Sequence, residues 1–164
     1  VDYLYSYYNS EPENSKFFTS NNMALPARMF IELGGFDVTT LRATAEDREL
    51  CDRWILKGLK LSYLKNAVVY HSHKLSFSKY WNQHFNYGRG AYYFRKLRAT
   101  RGQERIKIEP FSFYYDLATY PLRSENVENR YYSCFLMLLS QVAHTAGYFW
   151  EYFIRSLGKF THTR

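Results

Sequence analysis

Residues 44–73 read TAEDRELCDRWILKGLKLSYLKNAVVYHSH, and the pattern changes once inside them. Thr44 is placed to cap a helix whose first turn carries Glu46 and Asp47, where the helix dipole favours carboxylates. Leu50 and Trp54, with Leu56 as a further member, would form its buried side, and Gly58 is the stop signal. Beyond Gly58 the period falls to two. Leu59 to Leu64 and Ala67 to Tyr70 predict two strands joined by a turn at Lys65-Asn66. The second strand ends at His71, with His73 close behind. A helix followed by strands points to an α/β class. A carboxylate and an imidazole at the edges of such elements are the residue types of a base beside a metal site.

Working outward, residues 1–16 are polar and tyrosine-rich, with Pro12, and read as an irregular approach segment. Phe17 to Ser20 predicts a short strand leading to Asn21-Asn22. Pro26 opens a short helix with Met29, Phe30 and Leu33 on its apolar face, and Gly34-Gly35 ends it. From Ser76 the period becomes helical, with Phe77, Trp81, Gly88, Ala91 and Tyr92 on one side and Gly102 as terminator. Residues 103–130, with Pro110 and Pro121, read as irregular. The last segment is the clearest helix: Phe135, Leu138, Val142, Phe149, Phe153 and Leu157 keep three-four spacing, while Ser140, His144, Glu151 and Arg155 lie opposite. Tyr131 to Trp150 holds no charged residue, yet its two-faced pattern argues for an interfacial or packing helix over a spanning one.

The chain has 164 residues, of which 46% are hydrophobic, enough for a real core and too many for a disordered chain. Aromatic residues reach 20%, a content that suits sugar stacking, a membrane interface, a partner surface or a tyrosine-rich core. The net charge of +7 is concentrated: nine Lys or Arg lie between Lys74 and Lys107, against Glu104 alone. Such a patch attracts phosphate groups in nucleotides, lipid headgroups or nucleic acid, or else is a solvated helix face. Cys51 and Cys134 show no metal or redox spacing and are expected as free thiols in a reducing compartment. The start, Val1-Asp2-Tyr3, has neither an initiator Met nor a signal-peptide pattern, and the chain is expected to begin inside a longer protein.

Four pieces stand in order: Thr19-Ser20-Asn21-Asn22-Met23-Ala24-Leu25-Pro26, Gly34-Gly35-Phe36-Asp37, Ala45-Glu46-Asp47-Arg48-Glu49-Leu50, and Val68-Val69-Tyr70-His71-Ser72-His73. Together they resemble the C-terminal half of a family 2 glycosyltransferase, an inverting enzyme of the GT-A fold, over roughly Phe17 to Arg98. The segment Tyr87-Gly88-Arg89-Gly90-Ala91-Tyr92 is similar to the helix that follows the catalytic domain in bacterial members. The resemblance implies an α/β fold, the acceptor-side part of a GT-A domain with short strands and helices over residues 1–73. A mainly helical, basic-aromatic tail would occupy residues 74–164.

It also implies roles. Asp47 would be the general base on the acceptor hydroxyl, with Glu46 orienting neighbours or touching the acceptor. Asp37, Gly35 and Asn22 would wall the acceptor site, although Asp37 also fits a plain loop cap and Asn22 a turn. His71, with His73 as the alternative, would ligate Mn²⁺ or Mg²⁺ or donate to the diphosphate. The implied partners are a nucleotide-sugar donor and a glycan or lipid-linked acceptor, at the cytoplasmic face of the membrane, with peripheral membrane contact and no nucleic acid. One departure from the family is plain. The aspartates are Asp2, Asp37, Asp47, Asp52 and Asp116, and no two stand as Asp-x-Asp. The donor-binding half is therefore expected elsewhere, and the chain alone is expected not to turn over a nucleotide sugar. The competing expectation is a non-enzymatic basic-aromatic module that grips nucleic acid or an anionic membrane through Trp81, Phe85, Tyr92 and neighbouring cations. A degenerate scaffold is the third.

Overall fold

The computed structural model describes residues 2–39, 44–70, 75–103, 109–124 and 127–160. The chain divides into two compact units, Val1–Lys74 and Leu75–Arg164.

The first unit holds three helices, α1 (Asp2–Tyr8), α2 (Ala27–Glu32) and α3 (Glu46–Leu56), with single 3-10 turns at Pro12–Asn14 and Ser20–Asn22. Its core is built on α3, where Glu49, Leu50, Cys51 and Asp52 are buried, and Phe18 packs there too. Leu50 is buried as expected, Trp54 is half-buried, and Leu56 is exposed. Two glycines in left-handed conformation, Gly34 (φ 84°) and Gly35 (φ 68°), turn the chain after α2. Gly58 (φ 76°) does the same after α3.

The expected α/β sheet is not formed. Among the described residues there is no strand, and every regular element is helical. The stretch 59–64 is extended beside 12–18, but the two meet through isolated bonds: Ser15 N–H to the Leu61 carbonyl at 3.1 Å, and Tyr63 N–H to the Pro12 carbonyl at 2.8 Å. The physical reason is that period-two patterning sets an extended backbone and inward side chains, Leu59, Leu61 and Tyr63 being half-buried, while a strand also needs a neighbour edge for its alternating bond pairs. Pro12 has no N–H to offer. Phe17–Thr19 and Ala67–Tyr70 form no ladder, Ala67 and Val68 instead making local turn bonds to the Leu64 and Asn66 carbonyls, and only the Lys65-Asn66 turn of the expected hairpin is present. Residues 2–8, expected as irregular, form α1.

The second unit is three helices: α4 (Phe77–Thr100), α5 (Phe111–Arg123) and α6 (Arg130–Phe160). Ser76 caps α4, its Oγ accepting the Lys79 N–H at 3.3 Å, and Gly102 (φ 67°) ends it. Residue pairs advance together along α4 and α6, so the two run parallel: Tyr80 bonds the Leu136 carbonyl and Arg89 bonds Glu151. Helix α5, placed in a stretch expected to be irregular, buries Phe113, Leu117 and Pro121, a four-residue spacing that brings one stripe onto its neighbour.

The α4–α6 seam combines small and polar residues with the ring pairs Phe85–Trp150 and Tyr92–Tyr148. Gly88, Ala143 and Gly147 are buried there. A Cβ on Gly88 would lie 1.8 Å from the His144 carbonyl oxygen, and one on Gly147 would lie 1.9 Å from that of Phe85. Backbone therefore meets backbone. Glu151, 3% exposed, accepts from Arg89 Nε at 2.7 Å and Tyr93 Oη at 2.9 Å, and Arg155 Nη2 donates to Tyr93 Oη at 2.7 Å. Burial pushes the Glu151 carboxyl pKa up, but the bonds from Arg89 and Tyr93 and the charges of Arg89 and Arg155 outweigh it, leaving the pKa below its ordinary value. His84, ringed by Tyr80 and Tyr87, is lowered to about 4 by burial and then by His144.

Candidate functional site

Helix α3 gathers the sequence pieces singled out above. Its N-cap residue, Ala45, is left-handed at φ 81°, a conformation costing a non-glycine residue about 1–2 kcal/mol. That bend aims the first turn at the Ser20–Asn22 turn. The Ser20 N–H donates to Asp47 Oδ2 at 3.2 Å, and the Arg48 N–H to Asp47 Oδ1 at 2.7 Å. Two carboxylate oxygens, each with a second lone pair, are thus held in a fixed orientation while the residue remains half-buried. Glu46 is half-buried beside it. The Arg48 guanidinium lies 4.5 Å over the Phe17 ring.

Asn22, two residues from Ser20, donates through Nδ2 to the Ala67 carbonyl at 2.9 Å. It therefore ties the first piece to the stretch that leads toward His71. His71 and His73 themselves lie outside the described residues. Gly35 is joined to α3 by a residue the sequence reading passed over. Arg53 clasps Glu49 with two bonds of 2.7 Å and donates to the carbonyls of Leu33 and Gly35. The signal for it was present, since Glu49 and Arg53 stand at i,i+4. Asp37 takes the Thr39 N–H at 3.0 Å and the Thr39 hydroxyl at 2.8 Å on one oxygen, the geometry of a local turn.

A half-open cavity of about 250 Å³ lies along the next turns of α3. Its walls include Phe18, Leu25, Pro26, Leu50, Trp54 and Leu61, so it is largely apolar, and neither Asp47 nor Glu46 lines it. Cys51 also faces it. Burial raises the Cys51 thiol above its ordinary pKa, against a lowering bond from Phe18, which leaves little thiolate for chemistry. Cys51 and Cys134 are both free. The Ser20 piece therefore meets the start of α3, the Gly35 turn is held at its last turn through Arg53, and the cavity lies along the helix beyond Asp47.

Among the described residues no group of three or more His, Cys, Asp or Glu could hold a metal ion. No family model matches this chain, and no curated protein or solved structure is similar to it.

Proposed function

We propose that this chain is the acceptor-side, base-carrying part of an inverting glycosyltransferase. Asp47 accepts the proton of the acceptor hydroxyl as that oxygen attacks the anomeric carbon of a nucleotide sugar. The carbon–oxygen bond to the nucleoside diphosphate breaks on the opposite face, and configuration inverts. Glu46 stands beside the acceptor, and the Gly34–Asp37 turn, pinned through Arg53, shapes that side. The observation that carries the reading is the hydrogen bond from Ser20 N–H to Asp47, with Asn22 bonded to Ala67 beside it. Two pieces distant in sequence meet at this carboxylate, and a third is tied to the first of them through Asn22.

The donor carboxylates come from a polypeptide that supplies the Asp-x-Asp this sequence lacks, and the divalent metal, Mn²⁺ or Mg²⁺, belongs with them. The acceptor is a glycan or a lipid-linked glycan. Two free thiols suit the cytoplasmic side, and no helix among the described residues is long and apolar enough to cross a membrane.

The test is donor turnover by the complete enzyme against a panel of uridine, guanosine and thymidine diphosphate sugars, with and without a chelator. The expected result is release of one nucleoside diphosphate with transfer of the sugar, lost on chelation and restored by Mn²⁺ or Mg²⁺. Failure to turn over any donor, together with salt-dependent RNA or DNA binding that Asp47→Asn leaves unchanged, would overturn it.

A further inference from the structure

Helix α6 is folded with its polarity reversed. The face packed on α4 carries Ser140, Ala143, Gly147 and Glu151, all buried. The opposite face carries Phe135, Leu138, Val142, Phe149, Phe153 and Leu157, each between 47% and 67% exposed. These six alone present roughly 600 Å² of apolar side chain, the upper end of what a soluble monomer leaves open. A helix in water hides its large apolar side chains. One in contact with lipid does the reverse, packing small residues and hydrogen-bonded polar groups against its neighbour and turning bulky ones outward. Both features stand in the α4–α6 seam: the glycine crossing and the satisfied Glu151–Arg89–Tyr93 cluster.

From these we infer that the outward face of α6 lies in the headgroup–acyl boundary of an anionic lipid bilayer, with the helix axis parallel to the surface. Three observations select lipid over a second protein chain. No charged residue falls between Tyr131 and Trp150, so the stripe can enter the acyl boundary without burying an unpaired charge. Amphipathic rings accompany the stripe, Tyr131 and Tyr132 before it and Trp150 and Tyr152 within it, all exposed, residue types that settle at headgroup depth, the depth a helix lying flat keeps along its whole length. Near the stripe stand Arg130 and Arg155, both exposed cations, and α4 presents Lys79 and Lys96 to solvent. That charge is complementary to an anionic leaflet. A surface orientation also agrees with the absence, among the described residues, of any helix able to cross. The inference is independent of Asp47 and of the reaction assigned to it.

The test is flotation of the full chain with vesicles of phosphatidylcholine alone and of phosphatidylcholine with one part in three phosphatidylglycerol. The chain should float with the anionic vesicles, less with the neutral ones, and less still as salt rises. Val142→Lys and Leu138→Lys alter exposed positions and leave the seam intact. Each should lower vesicle partitioning about tenfold while circular dichroism and the melting transition stay unchanged. In a chain carrying Trp54→Phe and Trp81→Phe, which leaves Trp150 alone among the three tryptophans, fluorescence should shift to the blue on adding anionic vesicles. A wild-type chain that floats with neither composition overturns the inference. So does undiminished flotation of the lysine variants. Equal recovery on both compositions overturns the anionic preference. Concentration-dependent self-association that the same variants abolish, with no vesicle binding, would assign the face to a second copy instead.

Discussion

Gly88→Ala sets two well-characterised effects against each other. Alanine in a helix interior is favoured over glycine by about 1 kcal/mol, so propensity alone predicts stabilisation. The α4–α6 crossing predicts the reverse. The new Cβ would stand 1.8 Å from the His144 carbonyl oxygen, 2.7 Å from its carbon and 2.9 Å from Tyr148 N. These are backbone atoms, which cannot rotate aside as a side chain would. Relief requires α4 and α6 to part by about 1.5 Å at this point, and a gap of 0.5–1 Å already forfeits a quarter to a half of a contact's dispersion energy. Overpacking of this kind costs about 3 kcal/mol. The net expectation is about 2 kcal/mol of destabilisation, a fall of about 10 °C in Tm for a unit of this size. Urea and thermal denaturation of the full chain, followed by circular dichroism at 222 nm, read it directly. Gly147→Ala should behave alike, since its Cβ would lie 1.9 Å from the Phe85 carbonyl oxygen. Thr145→Ala, exposed on α6, should show the propensity gain by itself. A higher Tm for Gly88→Ala would refute the crossing.

Other consequences concern both units. Arg53→Ala removes both bonds to buried Glu49 and the tether to the Leu33 and Gly35 carbonyls. Stripping one partner from such a pair costs about 3–5 kcal/mol, visible in the urea midpoint, with Arg53→Lys recovering only part. Acid should weaken the second unit. His84 is lowered from 6.5 to about 4 in the fold, so the unfolded chain takes up the proton first. The stability this neutral ring contributes is present above pH 6.5 and is lost as pH falls toward 4. Discounted by about half because the ring is only partly buried, the loss is about 1–2 kcal/mol. Glu151, held below its ordinary value, adds a further loss in the same direction below about pH 4.5. Melting curves between pH 7 and 4 measure this, and His84→Gln should flatten the upper part of the slope.

The helices that carry their own punctuation were legible. Ser76 and Gly102 bracket α4, Gly58 closes α3, and the three-four spacing of Phe135 to Leu157 marks α6. The expected strands were not formed, because Leu59, Leu61 and Tyr63 specify extended backbone without specifying what lies alongside it. Helix α5 was hidden by its prolines: Pro110 occupies the N-cap position, which a helix tolerates, and Pro121 lies inside the helix, where its missing N–H and its ring are disfavoured and its burial with Phe113 and Leu117 sets the outcome. In α6 the two faces were visible but their destinations were not. Periodicity says which residues share a face. The choice of inner face turned on the glycines at 88 and 147 and on the bond between Arg89 and Glu151, which belong to two elements 62 positions apart in sequence. At the candidate site, the placement of Asp47 at the head of a helix could be read directly. Its bond from Ser20 could not, because it depends on a left-handed Ala45, and alanine announces no such bend.

The most direct measurement is the steady-state rate of the complete enzyme with Asp47→Asn against wild type, at saturating acceptor. If this carboxylate takes the acceptor's proton, kcat falls at least about tenfold, about 1.4 kcal/mol on the barrier, with KM for the acceptor little changed. A wild-type kcat in the variant would contradict the assignment of the reaction to the head of α3.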